Sequence, residues 1–327
     1  MYPQRRMRRL RGRLLQPLFE EHQIHKTDLI APVFIDETAH SPVSISSMPG
    51  QFRYPPADAS RVARELYDSG IRSILLFGIP KEKNSMATSA YSQDGVIQSA
   101  VRDIKSAVPG MVVITDVCAC EYTDHGHCGI IGETCSGTDL LNDPSLEIME
   151  KIAVSHASCG CDIVAPSCML DGMVTSIRSA LDEAGFEQVA IMSYSTKFSS
   201  ALYGPFRDAA DSGFAFGDRS TYQINPANGR EAFLESFLDR EEGADILMVK
   251  PGGFYLDLVA RVATLGLPVA VYQVSGEYSM IKAAARNGWL NEKDVVMESM
   301  AGMKRAGADL IITYFARDLA RWLDEEQ

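Results

Sequence analysis

Short runs of apolar and β-branched residues recur along the chain, each separated from the next by a stretch long enough for a helix. Eight of them read as strands: Leu29–Ile35, Ser73–Ile79, Met111–Cys118, Cys161–Ser167, Val189–Ser195, Asp245–Lys250, Val269–Ser275 and Asp309–Phe315. Their apolar character is nearly continuous rather than alternating, as expected of strands covered on both faces in a parallel sheet. The intervening segments carry helical amphipathic patterns, and several end on the same punctuation: Asp68-Ser-Gly70, Ser158-Cys-Gly160, Glu183-Ala-Gly185, Glu241-Glu-Gly243 and Arg305-Ala-Gly307. Glycine just past a helix takes the left-handed conformation that satisfies the last carbonyls, so a strand can follow at once. Eight such units predict an α/β fold, a closed (β/α)8 TIM barrel. Residues 1–327 then form a single domain in which the first stretch, to about residue 28, is an N-terminal arm. A doubly wound open sheet would need a glycine-rich phosphate turn after the first strand, and the chain has none there.

A barrel of this kind places reactive residues where its strands end. Lys197 follows the run beginning at Val189, and Lys250 closes Asp245-Ile-Leu-Met-Val-Lys250. A lysine in such a place must pair with a carboxylate or give up its proton. Burial and a second nearby cation both disfavour the ammonium, leaving an amine able to form a Schiff base with a carbonyl substrate. One such lysine reads more simply as a strand-end residue reaching solvent or a salt bridge. Two in equivalent positions favour chemistry.

The third strand ends in Thr115-Asp116-Val-Cys118-Ala-Cys120, and the following loop reaches Cys128. Thiolates are soft ligands that suit Zn²⁺, and three protein ligands leave a fourth position for water or substrate. Spacing alone equally allows a closed four-ligand site completed by His125, His127 or Cys135. Location at a barrel mouth beside two lysines favours the open, catalytic form. Cys159, Cys161 and Cys168 read as small apolar packing residues.

After Lys197 a long segment rich in glycine and aromatics, through Tyr203, Phe206 and Tyr222, precedes the next helix and reads as a lid. Arg207 and Arg219 in it are suited to clamp a carboxylate, with salt bridges to Asp208 and Asp218 as the plain alternative. Ser275 and Tyr314, at the ends of the last two strands, are hydroxyls placed to orient a second carboxylate. Ser275 reads equally as a helix N-cap and Tyr314 as a rim aromatic.

Bulk properties narrow the class. The chain is 46% hydrophobic with a net charge of −12 and a pI near 5.0, which opposes nucleic acid and anionic membrane surfaces. No apolar run approaches the roughly 18 residues of a spanning helix. Seven cysteines, an odd count without a secretory signal, point to reduced thiols and a cytoplasmic protein. The arm is the exception to the acidic balance, with Arg5, Arg6, Arg8, Arg9, Arg11 and Arg13. A nucleic-acid arm, a transit peptide and an arm docking on an acidic neighbouring subunit all fit that charge. The absence of serine before Ser41 weighs against transit, and docking is the preferred reading.

Across nearly its full length the sequence resembles the 5-aminolaevulinate dehydratase (porphobilinogen synthase) family. The most specific stretch is Gly243-Ala-Asp-Ile-Leu-Met-Val-Lys250-Pro-Gly-Gly-Phe-Tyr255, which is similar to that family's Schiff-base lysine signature. Met192-Ser-Tyr-Ser-Thr-Lys197, Tyr203-Gly-Pro-Phe-Arg207, Tyr272-Gln-Val-Ser275 and the cysteine loop match in the family's order. The resemblance implies a TIM barrel that condenses two 5-aminolaevulinate molecules to porphobilinogen through Schiff bases on Lys197 and Lys250, in haem and tetrapyrrole biosynthesis. It implies that Arg207 and Arg219 hold one substrate carboxylate, Ser275 and Tyr314 the other, and Cys118, Cys120 and Cys128 a catalytic zinc. It further implies an allosteric Mg²⁺ at Glu231 and a homo-octamer embraced by the basic arms. Two departures stand out. Where the family has Ala-Pro-Ser-Asp-Met-Met-Asp-Gly-Arg, this chain has Ala165-Pro-Ser-Cys168-Met-Leu-Asp171-Gly-Met173, and its arm has Arg6-Met-Arg-Arg in place of Arg-Pro-Arg-Arg.

Overall fold

The computed structural model describes residues 3–134, 137–213 and 217–325. Eight parallel strands form the barrel: Leu29–Asp36, Ser73–Ile79, Val112–Val117, Ile163–Pro166, Ala190–Lys197, Ile246–Lys250, Val269–Gln273 and Leu310–Thr313. Each pairs with the next in chain order, and the eighth returns to the first through Leu29 opposite Ile311 and Ile30 opposite Ile312. The sheet is therefore closed. All eight expected strands are present, with ends that shift by a few residues. The seventh stops at Gln273 because a helix, Ser275–Arg286, starts at once. The fifth runs two residues beyond its expected end, to Lys197.

The glycine punctuation is real. Gly70, Gly160, Gly185, Gly243 and Gly307 all lie in the left-handed region, with φ between +80° and +112°, and close helices ending at Asp68, Ser158, Glu183, Glu241 and Ala306. The covering helices turn one face inward; Ala59–Asp68, for example, buries Ala59, Val62, Ala63 and Leu66. That burial against the barrel is what stabilises a helix of ten residues, which would be marginal alone.

Two additions were not apparent in the hydrophobic pattern. Phe52–Tyr54 lies beside the first strand and pairs with Val43–Ser44. A hairpin of Ile131–Thr134 and Gly137–Leu140 grows from the loop that carries the cysteines. Both are short and half exposed, so they leave little apolar signal.

One irregularity matters for the site. Leu247 of the sixth strand lies opposite Ser193 of the fifth, but Val249 lies opposite Thr196 and Lys250 opposite Lys197. Three residues of the fifth strand are spanned by two of the sixth, which is the signature of a bulge. Ser195 and Thr196 both turn outward: Ser236 on the helix Gly229–Glu241 donates to Ser195 Oγ at 3.0 Å, and Thr196 Oγ1 donates to Ala232 O at 3.0 Å. Tyr194 and Lys197 are thereby left on the inner side.

Residues of the arm lie outside the barrel, in a short helix Arg6–Leu10 and a 3-10 turn Gln16–Phe19. Its apolar side chains from Met7 to Phe19 are uncovered, Leu14 being 92% exposed, whereas Ile24 packs against the core. Among the described residues no helix is long and apolar enough to cross a membrane.

Candidate active site

Lys197 and Lys250 end adjacent strands as register partners, and each is only 5% exposed. Lys197 Nζ donates to Ser167 O at 2.5 Å, so it is held by a carbonyl from the end of the fourth strand rather than by a carboxylate. Lys250 Nζ sits among aromatic rings, 4.2 Å from the centroid of Tyr272, 4.9 Å from Tyr194, 5.0 Å from Phe206 and 5.4 Å from Tyr203. The ring faces favour a cation. Burial, then the charge of Lys197, outweigh them and bring Lys250 down to about 7, where the neutral amine is well populated. Two ammoniums so close are expected to leave at least one lysine able to be neutral near pH 7, and here that lysine is Lys250. Burial opposes the Lys197 ammonium as well, but nearby negative charge, Cys128 foremost, exceeds it and raises Lys197.

The cysteines converge as their spacing suggested. Cys118, Cys120 and Cys128 are buried, and their sulfurs all lie within 4.8 Å of one another. Cys118 Sγ and Cys120 Sγ are 3.1 Å apart. Hydrogen bonds from Cys118, Cys120 and Cys168 hold the Cys128 thiol well below its ordinary value, while burial pushes Cys118 well above it. Three soft donors converging in a buried space fit a thiophilic ion such as Zn²⁺. Neither histidine joins this group: His127 Nδ1 contacts Tyr222 Oη at 3.1 Å, and His125 Nδ1 accepts from His127 N at 3.1 Å. Cys135 lies outside the described residues. The six described cysteines are all free.

Cys168 is a fully buried core residue, as the sequence reading has it, and it has a further neighbour. Its sulfur lies 3.5 Å from Met149 Sδ and also 3.5 Å from Cys118 Sγ of the cluster. Asp116 was missed. It is half-buried at the end of the third strand, accepts from Ser167 Oγ at 3.1 Å, and has a second oxygen without a hydrogen-bond partner. Burial, then the charge of Glu121, raises it to about 7. Its place on a strand end was the available signal. The aromatic wall of Tyr194, Tyr203, Phe206 and Tyr272 had none, because aromatics are ordinary core residues.

The segment after Lys197 folds over the strand ends. Its neck is fastened where Ile224 N donates to Lys197 O and Ser199 N to Ile224 O. Within it, Arg219 Nη2 donates to Gly126 O at 2.9 Å in the cysteine loop and to Ser212 O at 3.2 Å. Arg207 is half-buried; burial, then the charge of Arg219, lowers it, so the two guanidinium groups share one region. Their flanking carboxylates are engaged elsewhere as well, Asp208 with Ser47 Oγ and Asp218 with Ser220. Ser275 is the first helical residue rather than the cap; its Oγ accepts from Phe206 N at 2.9 Å and donates to Leu202 O at 3.3 Å. Tyr314 Oη meets Tyr272 Oη at 3.0 Å, beside the Lys250 wall. Glu277 accepts from Gly253 N at 2.7 Å and Val274 N at 2.8 Å, fixing the loop after Lys250.

Glu231 stands apart, exposed at the start of the helix Gly229–Glu241, with Asn228 Nδ2 donating to it at 2.6 Å. It lines a cavity of about 470 Å³ together with Asp139, Asp171 and Glu235.

Comparison with known proteins gives a consistent result. The family model described as delta-aminolevulinic acid dehydratase matches residues 4–322. A protein of that name from Synechococcus elongatus is 51% identical, covering 99% of this chain and 100% of its own. Its namesake from Archaeoglobus fulgidus is 52% identical, with coverage of 98% and 99%. A solved delta-aminolevulinic acid dehydratase (porphobilinogen synthase) from Toxoplasma gondii, in complex with the reaction product porphobilinogen, superposes with a TM-score of 0.95 at 40% identity, covering 100% of this chain and 93% of that one.

Proposed function

The chain belongs to the delta-aminolevulinic acid dehydratase family of hydro-lyases, and from that premise we propose that it condenses two 5-aminolaevulinate molecules to porphobilinogen with loss of two waters. The observation that carries the reading is the juxtaposition of two buried amines, Lys250 lowered to about 7, with a three-thiol cluster at one barrel mouth.

In this reading the neutral Nζ of Lys250 attacks the ketone carbon of one substrate, and loss of water leaves a Schiff base. Its protonated form is an electron sink that acidifies the neighbouring carbon and activates the carbonyl carbon. Lys197, presented beside it, forms the second Schiff base. Asp116, near half-protonation at neutral pH, is a proton store within the same buried space. Arg207 and Arg219 hold one substrate's carboxylate, and Ser275 and Tyr314 orient the other's. Cys118, Cys120 and Cys128 hold zinc, which when bound supplies Lewis acidity. The aromatic wall and the covering segment exclude water, which protects the imines from hydrolysis.

The same reading extends to assembly. The arm, to about residue 28 and with its apolar side chains from Met7 to Phe19 uncovered, contacts a neighbouring subunit in a homo-octamer, and Glu231 holds an allosteric Mg²⁺ in its acidic cavity. The enzyme works in the cytoplasm in haem biosynthesis. The direct test is incubation of the zinc-loaded protein with 5-aminolaevulinate and colorimetric detection of a pyrrole. Absence of any pyrrole overturns the proposal.

A further inference from the structure

We infer that Cys168 is a fourth thiolate ligand of the metal held by Cys118, Cys120 and Cys128. The inference rests on the zinc reading above and deepens it. Cys168 follows the fourth strand, so it approaches the cluster from a different element than the other three. It is fully buried, and its sulfur lies 3.5 Å from Cys118 Sγ. Four sulfurs bound tetrahedrally at about 2.3 Å lie about 3.8 Å from one another, so the observed spacing is close to one edge of such a tetrahedron. Cys168 touches the cluster through Cys118, its other neighbours being Met149 Sδ at 3.5 Å and Val117 O at 3.8 Å. Neither His125 nor His127 belongs to the group of ligand atoms that lie within 4.8 Å of one another.

The chemistry follows from the donor count. Three thiolates leave a zinc ion one position open, whereas four close it. A resting site of four sulfurs holds its metal more tightly and admits an oxygen ligand only when one sulfur leaves. Cys168 is the natural one to leave, because it alone is anchored outside the segment that carries the other three ligands. An aspartate, which the resemblance places at this position, would supply a harder donor with a weaker hold on zinc.

The test replaces zinc with Co²⁺ and records the sulfur-to-metal charge-transfer absorption of the full-length protein, alongside metal affinity by competition with a chromophoric chelator. Cys168→Ser is expected to lower the absorption per bound cobalt by about one quarter, from four thiolates to three, and to weaken zinc binding at least several-fold. Cys168→Asp should give the same drop, which guards against a packing defect peculiar to serine, and Met149→Leu, altering the other neighbour of Cys168, should leave the band unchanged. Full metal loading with undiminished absorption in both Cys168 variants overturns the fourth ligand and leaves the three-thiolate site standing. A wild-type protein that binds neither cobalt nor zinc overturns both.

Discussion

Lys197 and Lys250 lie directly opposite each other on neighbouring parallel strands because the fifth strand carries one residue more than the sixth between Ser193 and Lys197. Without that extra residue, strict alternation from Tyr194 would point Thr196 inward and Lys197 out toward the helices. The bulge therefore creates the two-amine pocket, and the outward hydrogen bonds of Ser195 and Thr196 hold it in place.

Borohydride reduction in the presence of 5-aminolaevulinate is expected to add covalent mass at Lys250. Lys250→Met should lose that adduct and all pyrrole formation, while retaining the melting temperature of the parent within a few degrees, since methionine fills a buried aromatic pocket well. Peptide mass spectrometry reads the adduct. An unmodified Lys250 in the parent protein contradicts its role as nucleophile.

The acid limb of activity should report Lys250. Its folded value is lowered to about 7, so the amine is neutral above that pH and protonated below it. kcat/KM is expected to fall about tenfold for each pH unit below about 7 and to level off above it. A profile flat from pH 5.5 to 8 would be incompatible with a free amine that must be neutral to attack.

Chelation separates this enzyme from a metal-free aldolase built on the same barrel. Stripping the metal should abolish pyrrole formation, and added zinc should restore it. Cys120→Ala is expected to retain less zinc than the parent's about one ion per chain, measured by atomic absorption after gel filtration. Full turnover by metal-free protein would remove the cluster from the mechanism.

Ser275 accepts the Phe206 amide and donates to Leu202, joining the covering segment to the seventh strand's helix. Ser275→Ala leaves that amide without its acceptor and should cost about 1–2 kcal/mol of stability, with a raised KM. Thermal melting and steady-state kinetics check both. An unchanged melt and KM would show that the bond contributes nothing.

Gly276 lets the same two elements touch. A Cβ there would stand 2.5 Å from Leu202 O and 2.8 Å from Leu202 Cα, both backbone atoms that cannot swing aside. Gly276→Ala should therefore push the covering segment away, destabilising the protein by about 1–3 kcal/mol and exposing 202–213 to protease. Resistance equal to the parent's would contradict this packing.

The barrel was legible because its signals are local. Each apolar run and each terminal glycine states its own role, and Gly70 or Gly243 needs no distant partner to demand a left-handed turn. The lysines and the three close-set cysteines were legible for a related reason, since strand ends and short spacings put them together. Cys168 was not, because fifty residues separate it from Cys118 and only barrel closure makes them neighbours. Asp116 lay in plain view, yet its raised value depends on Glu121 and on burial, which no single sequence states. The hairpin at Ile131–Leu140 was missed because half-exposed strands of four residues carry no clear period.

Arg219 grips the carbonyl of Gly126, and Tyr222 meets His127, so the flap over the pocket and the loop bearing the sulfurs are riveted at two points. Whatever stiffens one also steadies the other. Ion occupancy and substrate retention should then rise together, each tightening the other by the same factor. Loss of the ion would loosen the flap before it ever reached the chemistry.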